Sequence, residues 1–330
     1  MTTLPLTEAS HDFAAREARR KMLLRFALLA LIMSALVAAP LVIYPIFLMK
    51  VLCFALFASA VNLLLGYVGL LSFGHAMYFG GAAYASGYLV KTYHLTPELG
   101  ILGGTLFAAM LGAVTGRLAI RNSGIYFAMI TLSLGQLFYF ACLQAPMTGG
   151  EDGIQNVPRG MLLGVIDLNN NMAMYYTVLG ICAFGFFVVY RTVNSPFGQI
   201  LKAIRENETR AVSLGYRVDG YKATAFVISA TIAGLAGATK VLVFELASLT
   251  DVAGPMSGEV VLMTLLGGMG TIWGPAVGAA FLVTMQNYLA SIGEWLIVVQ
   301  GLIFILVISL FRRGLVGEIE AFIARRRSRP

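Results

Sequence analysis

Charge is what this 330-residue sequence has least of: Asp, Glu, Lys and Arg together make up 12%, about half of what a soluble domain carries. Histidines number three, His11, His75 and His94, and are scattered over a polar tail, a glycine-rich segment and a short loop. The three cysteines, Cys53, Cys142 and Cys182, each lie alone inside an apolar run, with no C-x-x-C pair. This dispersal gives no metal or redox centre and marks the cysteines as small, reduced core residues. No G-x-x-x-x-G-K-[ST] string occurs, so the chain has no phosphate cradle of its own for a nucleotide. No convergent His, Asp, Glu or Cys cluster suggests a membrane enzyme, and no buried proton relay suggests a proton-coupled antiporter.

What the sequence has in excess is hydrophobic residues, at 58%, with a mean hydropathy of +0.82. That composition excludes a soluble enzyme, a nucleic-acid binder and a disordered scaffold, and it fits an all-α polytopic membrane protein. Apolar runs read as spans near 23–43, 46–65, 71–90, 99–117, 125–144, 173–190, 223–243, 258–270, 273–290 and 296–311. The first run is 21 residues long, beyond the length of a signal-peptide core, so it is expected to stay as a span. The chain thus divides into a tail, 1–22, a transmembrane domain of about ten helices, 23–311, and a basic tail, 312–330. Residues 258–270 are too few for a full crossing, which predicts a half-helix or a re-entrant turn there.

The net charge of +7 is a topology signal. Nineteen of the 23 basic residues fall in the N-terminal tail through Arg25, the 117–121 turn, the 191–222 loop and the C-terminal tail. All four segments share one face if both termini are cytoplasmic, as the positive-inside rule requires. The basic run Arg325–Arg329 can add attraction to anionic lipid. Lys50 and Lys240 fall near predicted outer ends of spans, where snorkelling is the expected behaviour.

A weak internal repeat pairs GYVGLLSFGHAMYFGGAA (66–83) with GGMGTIWGPAVGAA (267–280). Its glycines are Gly66, Gly69 and Gly74 in one half, and Gly267, Gly268, Gly270 and Gly274 in the other. Paired glycine-interrupted segments point to a transport pathway at a repeat interface; close helix packing alone gives the same pattern.

The most hydrophilic internal segment is the loop 191–222. Ser195–Pro196 bars helix before Pro196, apolar residues recur at helical spacing over Phe197–Leu214, and Gly215 stands where a C-terminal cap belongs. One amphipathic helix is therefore expected, either lying on lipid headgroups or serving as a docking peg, since RENE (205–208) carries both charge signs.

The stretch KAIRENETRAVSLGYRVDGYKATAFVISATIAGLAGA (202–238) resembles the coupling-loop region of inner-membrane permeases of branched-chain amino-acid (Liv) ABC importers. NLLLGYVGLLSFGHAMYFGGAAYAS (62–86), GIYFAMITL (124–132), TGGEDGI (148–154) and GGMGTIWGPAVGA (267–279) match in order, so that the resemblance covers roughly 45–312 and is nearer the LivM type than its LivH partner. It implies a bacterial inner-membrane subunit that pairs with a second, LivH-like permease subunit. Two cytoplasmic ATPases would use ATP and Mg on their own chains, this chain binding no cofactor, and a periplasmic binding protein would deliver the solute.

The resemblance places Arg205, Glu206, Glu208, Arg210, Ala211 and Gly215 at the ATPase contact. The acidic outer loop 146–159, with Thr148, Gly149, Gly150, Glu151 and Asp152, is the candidate contact for the binding protein, although outer loops are also acidic by default. Ser72, His75, Tyr126, Thr131 and Thr271 are pathway candidates, each open to the alternative of a helix-to-helix hydrogen bond. Two other functions stay open: a permease of the same superfamily for urea, short amides or another small solute, and a secondary transporter or channel.

Overall fold

The computed structural model describes residues 33–290, 293, 295–311 and 314–318. The N-terminal tail, residues 23–32 of the first expected span and, apart from 314–318, the C-terminal tail lie outside the described residues. Residues 33–38 are helical and lead into a 3-10 turn, Ala39–Leu41.

Among the described residues eleven helices follow, before a last helical turn over 314–318: α1, Pro45–Asn62; α2, His75–Thr92; α3, Pro97–Ala119; α4, Gly124–Gln144; α5, Asn171–Asn194; α6, Pro196–Glu206; α7, Glu208–Ser213; α8, Val218–Phe244; α9, Gly254–Gly267; α10, Gly274–Leu289; and α11, Trp295–Leu310. α1 runs on through a π-helical turn, Leu63–Val68. The strands are two-residue pieces. β1, Ile154–Gln155, pairs antiparallel with β4, Leu246–Ala247, and β2, Met161–Leu162, with β3, Ile166–Asp167.

Helix starts follow local chemistry. Pro45, Pro97 and Pro196 stand in first turns, where a missing N–H costs nothing. The side chains of Asn170, Ser195 and Asn207 accept hydrogen bonds from Met172 N, Gly198 N and Arg210 N at the starts of α5, α6 and α7. This last cap corrects the sequence expectation of one amphipathic helix over 197–214. Asn207 is extended (φ −157°, ψ 99°) and splits the segment into α6 and α7, because its side chain caps a new helix more favourably than it continues the old one. Gly215 does stand in the left-handed region (φ 87°), with Gly215 N bonded to Val212 O and Tyr216 N to Ala211 O. That pair of bonds is a Schellman stop.

Among the described residues, five stretches are long and apolar enough to cross a membrane: Pro45–Val68, Pro97–Ala119, Gly124–Gln144, Asn171–Asn194 and Val218–Phe244. α2 has 18 residues, α10 and α11 have 16 each, and α9 has 14. At about 1.5 Å per residue α9 is about 21 Å long, short of a bilayer core of about 30 Å. It forms a hairpin with α10 across Gly268–Trp273, so that a short helix does stand at the expected 258–270, starting four residues and ending three residues earlier.

The core is α2, α3 and α8, packed against one another, with the buried length of α1 beside them. Small residues set the approach: a Cβ at Gly237 would overlap the carbonyl of Phe79, and one at Gly234 would overlap the Cβ of Ala108. α4 lies at the edge and turns Ile125, Met129, Leu137 and Phe140 outward, as a lipid-facing helix does.

Candidate functional site

Between α1 and α2 the chain is non-helical over Gly69–Gly74, and polar groups of this segment and of the first turn of α2 are met from α4, α8 and α9. Phe73 N donates to Thr131 Oγ1 on α4 (3.2 Å), and Ala76 N donates to Ser257 Oγ on α9 (2.9 Å). His75, fully buried, holds Ser72 Oγ at Nδ1 and Ser229 Oγ at Nε2, both at 2.9 Å. Ser229 donates its own proton to Ala60 O (2.5 Å), so it accepts from His75 Nε2–H, and Nδ1 accepts from Ser72. A single neutral tautomer satisfies the whole network. Irregular backbone inside a helical bundle is tolerated where it is covered in this way. A Cβ at Gly74 would lie 2.5 Å from Thr131 O, which fixes that residue as glycine by close approach.

A second junction joins the two glycine segments. Asn62, buried in α1, accepts from Gly270 N (2.9 Å) and donates to Thr271 O (2.8 Å). A Cβ at Gly66 would meet Asn62 Oδ1 and stand 2.6 Å from Gly270 N. Gly66, Gly69, Gly270 and Thr271 therefore cluster, and Arg205 from α6 joins them by donating to Gly66 O. Gly267 and Gly274 sit where α9 crosses α10, since a Cβ at Gly267 would overlap Gly274 O. The Thr271 hydroxyl is used locally, donating to Gly268 O and accepting from Gly274 N.

Over the 191–222 loop, the residues expected at one contact divide between two faces. Glu206 and Arg210 are exposed. Glu208 pairs with Lys222, whose side chain is 4% exposed, at 2.6 Å. Ala211 is buried with Ile204 and Val218 in a small core of the loop's own. Arg205 is exposed as well, yet its guanidinium reaches inward to donate to Gly66 O, and Lys202 lies over the Tyr67 ring at 5.7 Å. The outward surface gains three apolar residues that charge reasoning missed, Val212, Leu214 and Tyr216.

At the far end of α8 a different set gathers. Arg159 is 8% exposed and donates to Leu242 O (3.2 Å), Val243 O (2.7 Å) and Asn171 Oδ1 (2.9 Å), and it pairs with Glu245 at 3.0 Å. It supplies the last carbonyls of α8 with donors and its C-terminal end with a positive charge. Lys240 does not snorkel, contrary to the sequence expectation. Its ammonium lies 2.8 and 2.6 Å from the two oxygens of Asp251, which is 2% exposed, because a buried carboxylate within reach offers more than a distant interface. In the 146–159 loop, Thr148 donates to Cys142 O and Ala145 O, and Gly149 and Gly150 are both left-handed. Glu151 and Asp152 are left exposed beside the β1–β4 pair.

Of the pathway candidates, Ser72, His75 and Thr131 come together around the 69–74 segment, Thr271 belongs to the Asn62 junction, and Tyr126 stands apart, 74% exposed on α4. Sequence reasoning missed Asn62, Ser229 and Ser257, although a polar residue inside an apolar helix was a signal in each case. Among the described residues, no group of three His, Cys, Asp or Glu side chains is placed to hold a metal ion.

A model of the family described as branched-chain amino acid transport system / permease component matches residues 43–308. The high-affinity branched-chain amino acid transport system permease protein LivM of Escherichia coli (strain K12) is 27% identical over 278 residues, 77% of this chain and 65% of that protein. The permease protein LivH of the corresponding system in Salmonella typhimurium is 24% identical over 296 residues, 81% of this chain and 92% of that protein. The ribose import permease protein RbsC of Bacillus subtilis (strain 168) is 29% identical over 184 residues, 51% of this chain and 52% of that protein. The chain therefore spans 65% of the length of the LivM relative. No solved structure matches.

Proposed function

The chain belongs to the branched-chain amino acid transport permease family, and we propose that it is the membrane-spanning subunit of an ABC importer that carries branched-chain or related amino acids into a bacterial cytoplasm. The observation that carries this reading is the family match together with the two-faced loop 191–222. Its inner face is tied to α1 and α8, while Glu206, Arg210, Val212, Leu214 and Tyr216 are left for a soluble partner. That partner is one of two ATPases, which bind ATP and Mg. A LivH-like permease subunit completes the pathway, and a periplasmic binding protein docks at the opposite end, on Glu151 and Asp152.

The proposed topology has about ten spans with both termini cytoplasmic. Contacts support its alternation of ends. The ends of α1 and α9 meet at the loop 191–222, and the 146–159 loop meets the segment after α8, as the positive-inside count expects. The 69–74 and 268–273 breaks, with Ser72, His75, Thr131 and Thr271, are the proposed flank of the pathway.

Uptake of radiolabelled leucine by cells with and without this gene tests the reading, with Glu206→Arg as the coupling variant. Loss of uptake in both, with the variant protein inserted at normal levels, is expected. Undiminished uptake in the deletion strain, in a background free of other leucine importers, overturns the substrate. The match to a ribose permease favours a second reading, the same coupled scaffold serving another small solute.

A further inference from the structure

Two charged side chains of the docking loop reach the glycine junction: Lys202 lies over the Tyr67 ring, and Arg205 bonds to the backbone. Arg205 Nη1 donates to Gly66 O, a carbonyl in the last turn of α1, where no intrahelical donor follows and a positive charge suits the helix end. The arginine stem crosses Gly69, at which a Cβ would stand 3.1 Å from Arg205 Cγ. The guanidinium closes over Gly270, at which a Cβ would stand 3.3 Å from both Arg205 Nη1 and Gly66 O. Three glycines from two distant segments thus form the seat for one side chain. Gly69 (φ 82°) and Gly270 (φ 75°) are also left-handed, so both segments turn sharply at the residues the arginine touches.

The two segments are moreover fastened to each other, since Asn62 takes both Gly270 N–H and Thr271 C=O. A displacement of α6 that carries Arg205 therefore reaches the break before α2 and the break before α10 together. The neighbouring charges do other things: Glu208 neutralises Lys222, and Glu206 and Arg210 face outward.

We propose that Arg205 is a positioning residue that ties the docking loop to both glycine breaks and transmits the loop's movement to them, and that it is not an ATPase contact. This rests on the importer reading for its consequence, though not for its geometry. Arg205→Met keeps the stem and removes the donor and the charge; Arg205→Lys keeps the charge and loses the fork.

The test uses the full chain in three measurements: copurification of the ATPase with the permease complex, leucine moved per ATP hydrolysed in proteoliposomes, and amide hydrogen exchange over 63–72 and 267–273 of the purified chain. Arg205→Met is expected to retain ATPase association within about twofold. Its transport per ATP should fall, and exchange at both segments should rise, by about tenfold or more, the scale of one lost charged hydrogen bond. Arg205→Lys should fall between it and the wild type. Arg210→Met, on the outer face, should show the opposite pattern, weaker association with unchanged exchange.

Arg205→Met losing association as Arg210→Met does, with exchange unchanged, overturns the proposal, and so does transport per ATP equal to wild type. If Arg205→Met does not accumulate, Arg205→Lys decides on the same readouts, and wild-type exchange and coupling in it refute the tie. A wild-type complex that hydrolyses ATP and moves no leucine refutes the substrate reading alone, because the exchange measurement needs neither ATP nor solute.

Discussion

Removing one partner of the Lys240–Asp251 pair should cost far more than removing both. The ammonium sits 2.6 and 2.8 Å from the carboxylate oxygens, and Asp251 Oδ2 also accepts from Ser248 N (3.2 Å) and Ser248 Oγ (3.1 Å). Asp251→Asn is isosteric and keeps an oxygen for Ser248, but it leaves the Lys240 charge unpaired in a residue only 8% exposed. Such an orphaned charge costs about 3–5 kcal/mol, whereas replacing a whole buried pair with apolar groups is close to neutral. At about 2 °C per kcal/mol for a chain of this size, Asp251→Asn should lower the melting temperature by about 6–10 °C. Lys240→Met in the same background should restore most of it. Trp273 and Trp295 provide the fluorescence for thermal unfolding of the detergent-solubilised chain. The double-mutant cycle then gives the coupling directly. A single variant within about 2 °C of wild type, or a double variant no better than the single, would show that the pair is solvated and the reasoning wrong.

Gly237→Ala should abolish accumulation of inserted protein, because its methyl would overlap the Phe79 carbonyl, while Gly180→Ala, with nothing within 4 Å, should stay within about 0.5 kcal/mol of wild type in the same melting assay. For Lys222–Glu208 the side-chain exposures of 4% and 47% predict an asymmetry: Glu208→Gln strands a buried ammonium and should destabilise by about 2 kcal/mol or more, whereas Lys222→Met leaves a carboxylate that water can reach and should cost under about 1 kcal/mol. Equal effects of the two would count against that account. Arg159→Met removes the donors to Leu242 O and Val243 O and the partner of Glu245; limited proteolysis within 146–168 should accelerate by about tenfold, and an unchanged cleavage rate would place the loop's order elsewhere.

The fold class and the helix sites were legible because apolar runs are long and their breaks carry Gly, Pro and charge. The Gly215 stop was equally plain, since a glycine after an amphipathic run is a local signal. Partners across the bundle were not legible. Lys240 and Asp251 are 11 residues apart in sequence but meet around a helix end, and Arg159 reaches carbonyls 83 and 84 residues away; no periodicity encodes either contact. Arg205 and Arg210 are alike in residue type, charge and exposure, and nothing local in 197–214 marks the one whose guanidinium reaches Gly66 O. The two glycine segments were read as a repeat; what the structure adds is their meeting, carried by Asn62, which the apolar pattern of α1 had hidden.

The placement of buried charge in so apolar a chain follows from α8. Its 27 residues rise about 40 Å, and between Ser229 and Ala238 it presents mostly Ala and Gly to α2 and α3. A helix enclosed this closely offers little side chain with which to hold the loops at its ends, and lipid offers no hydrophobic force to gather helices. Polar bonds are then the available fasteners, and they stand at the two ends: Lys222 to Glu208 at one, Lys240 to Asp251 and Arg159 to Glu245 at the other. The small-residue centre and the charged ends are one solution to one constraint. Enlarging the centre should therefore loosen helix packing, and neutralising one end should loosen only the loop it holds.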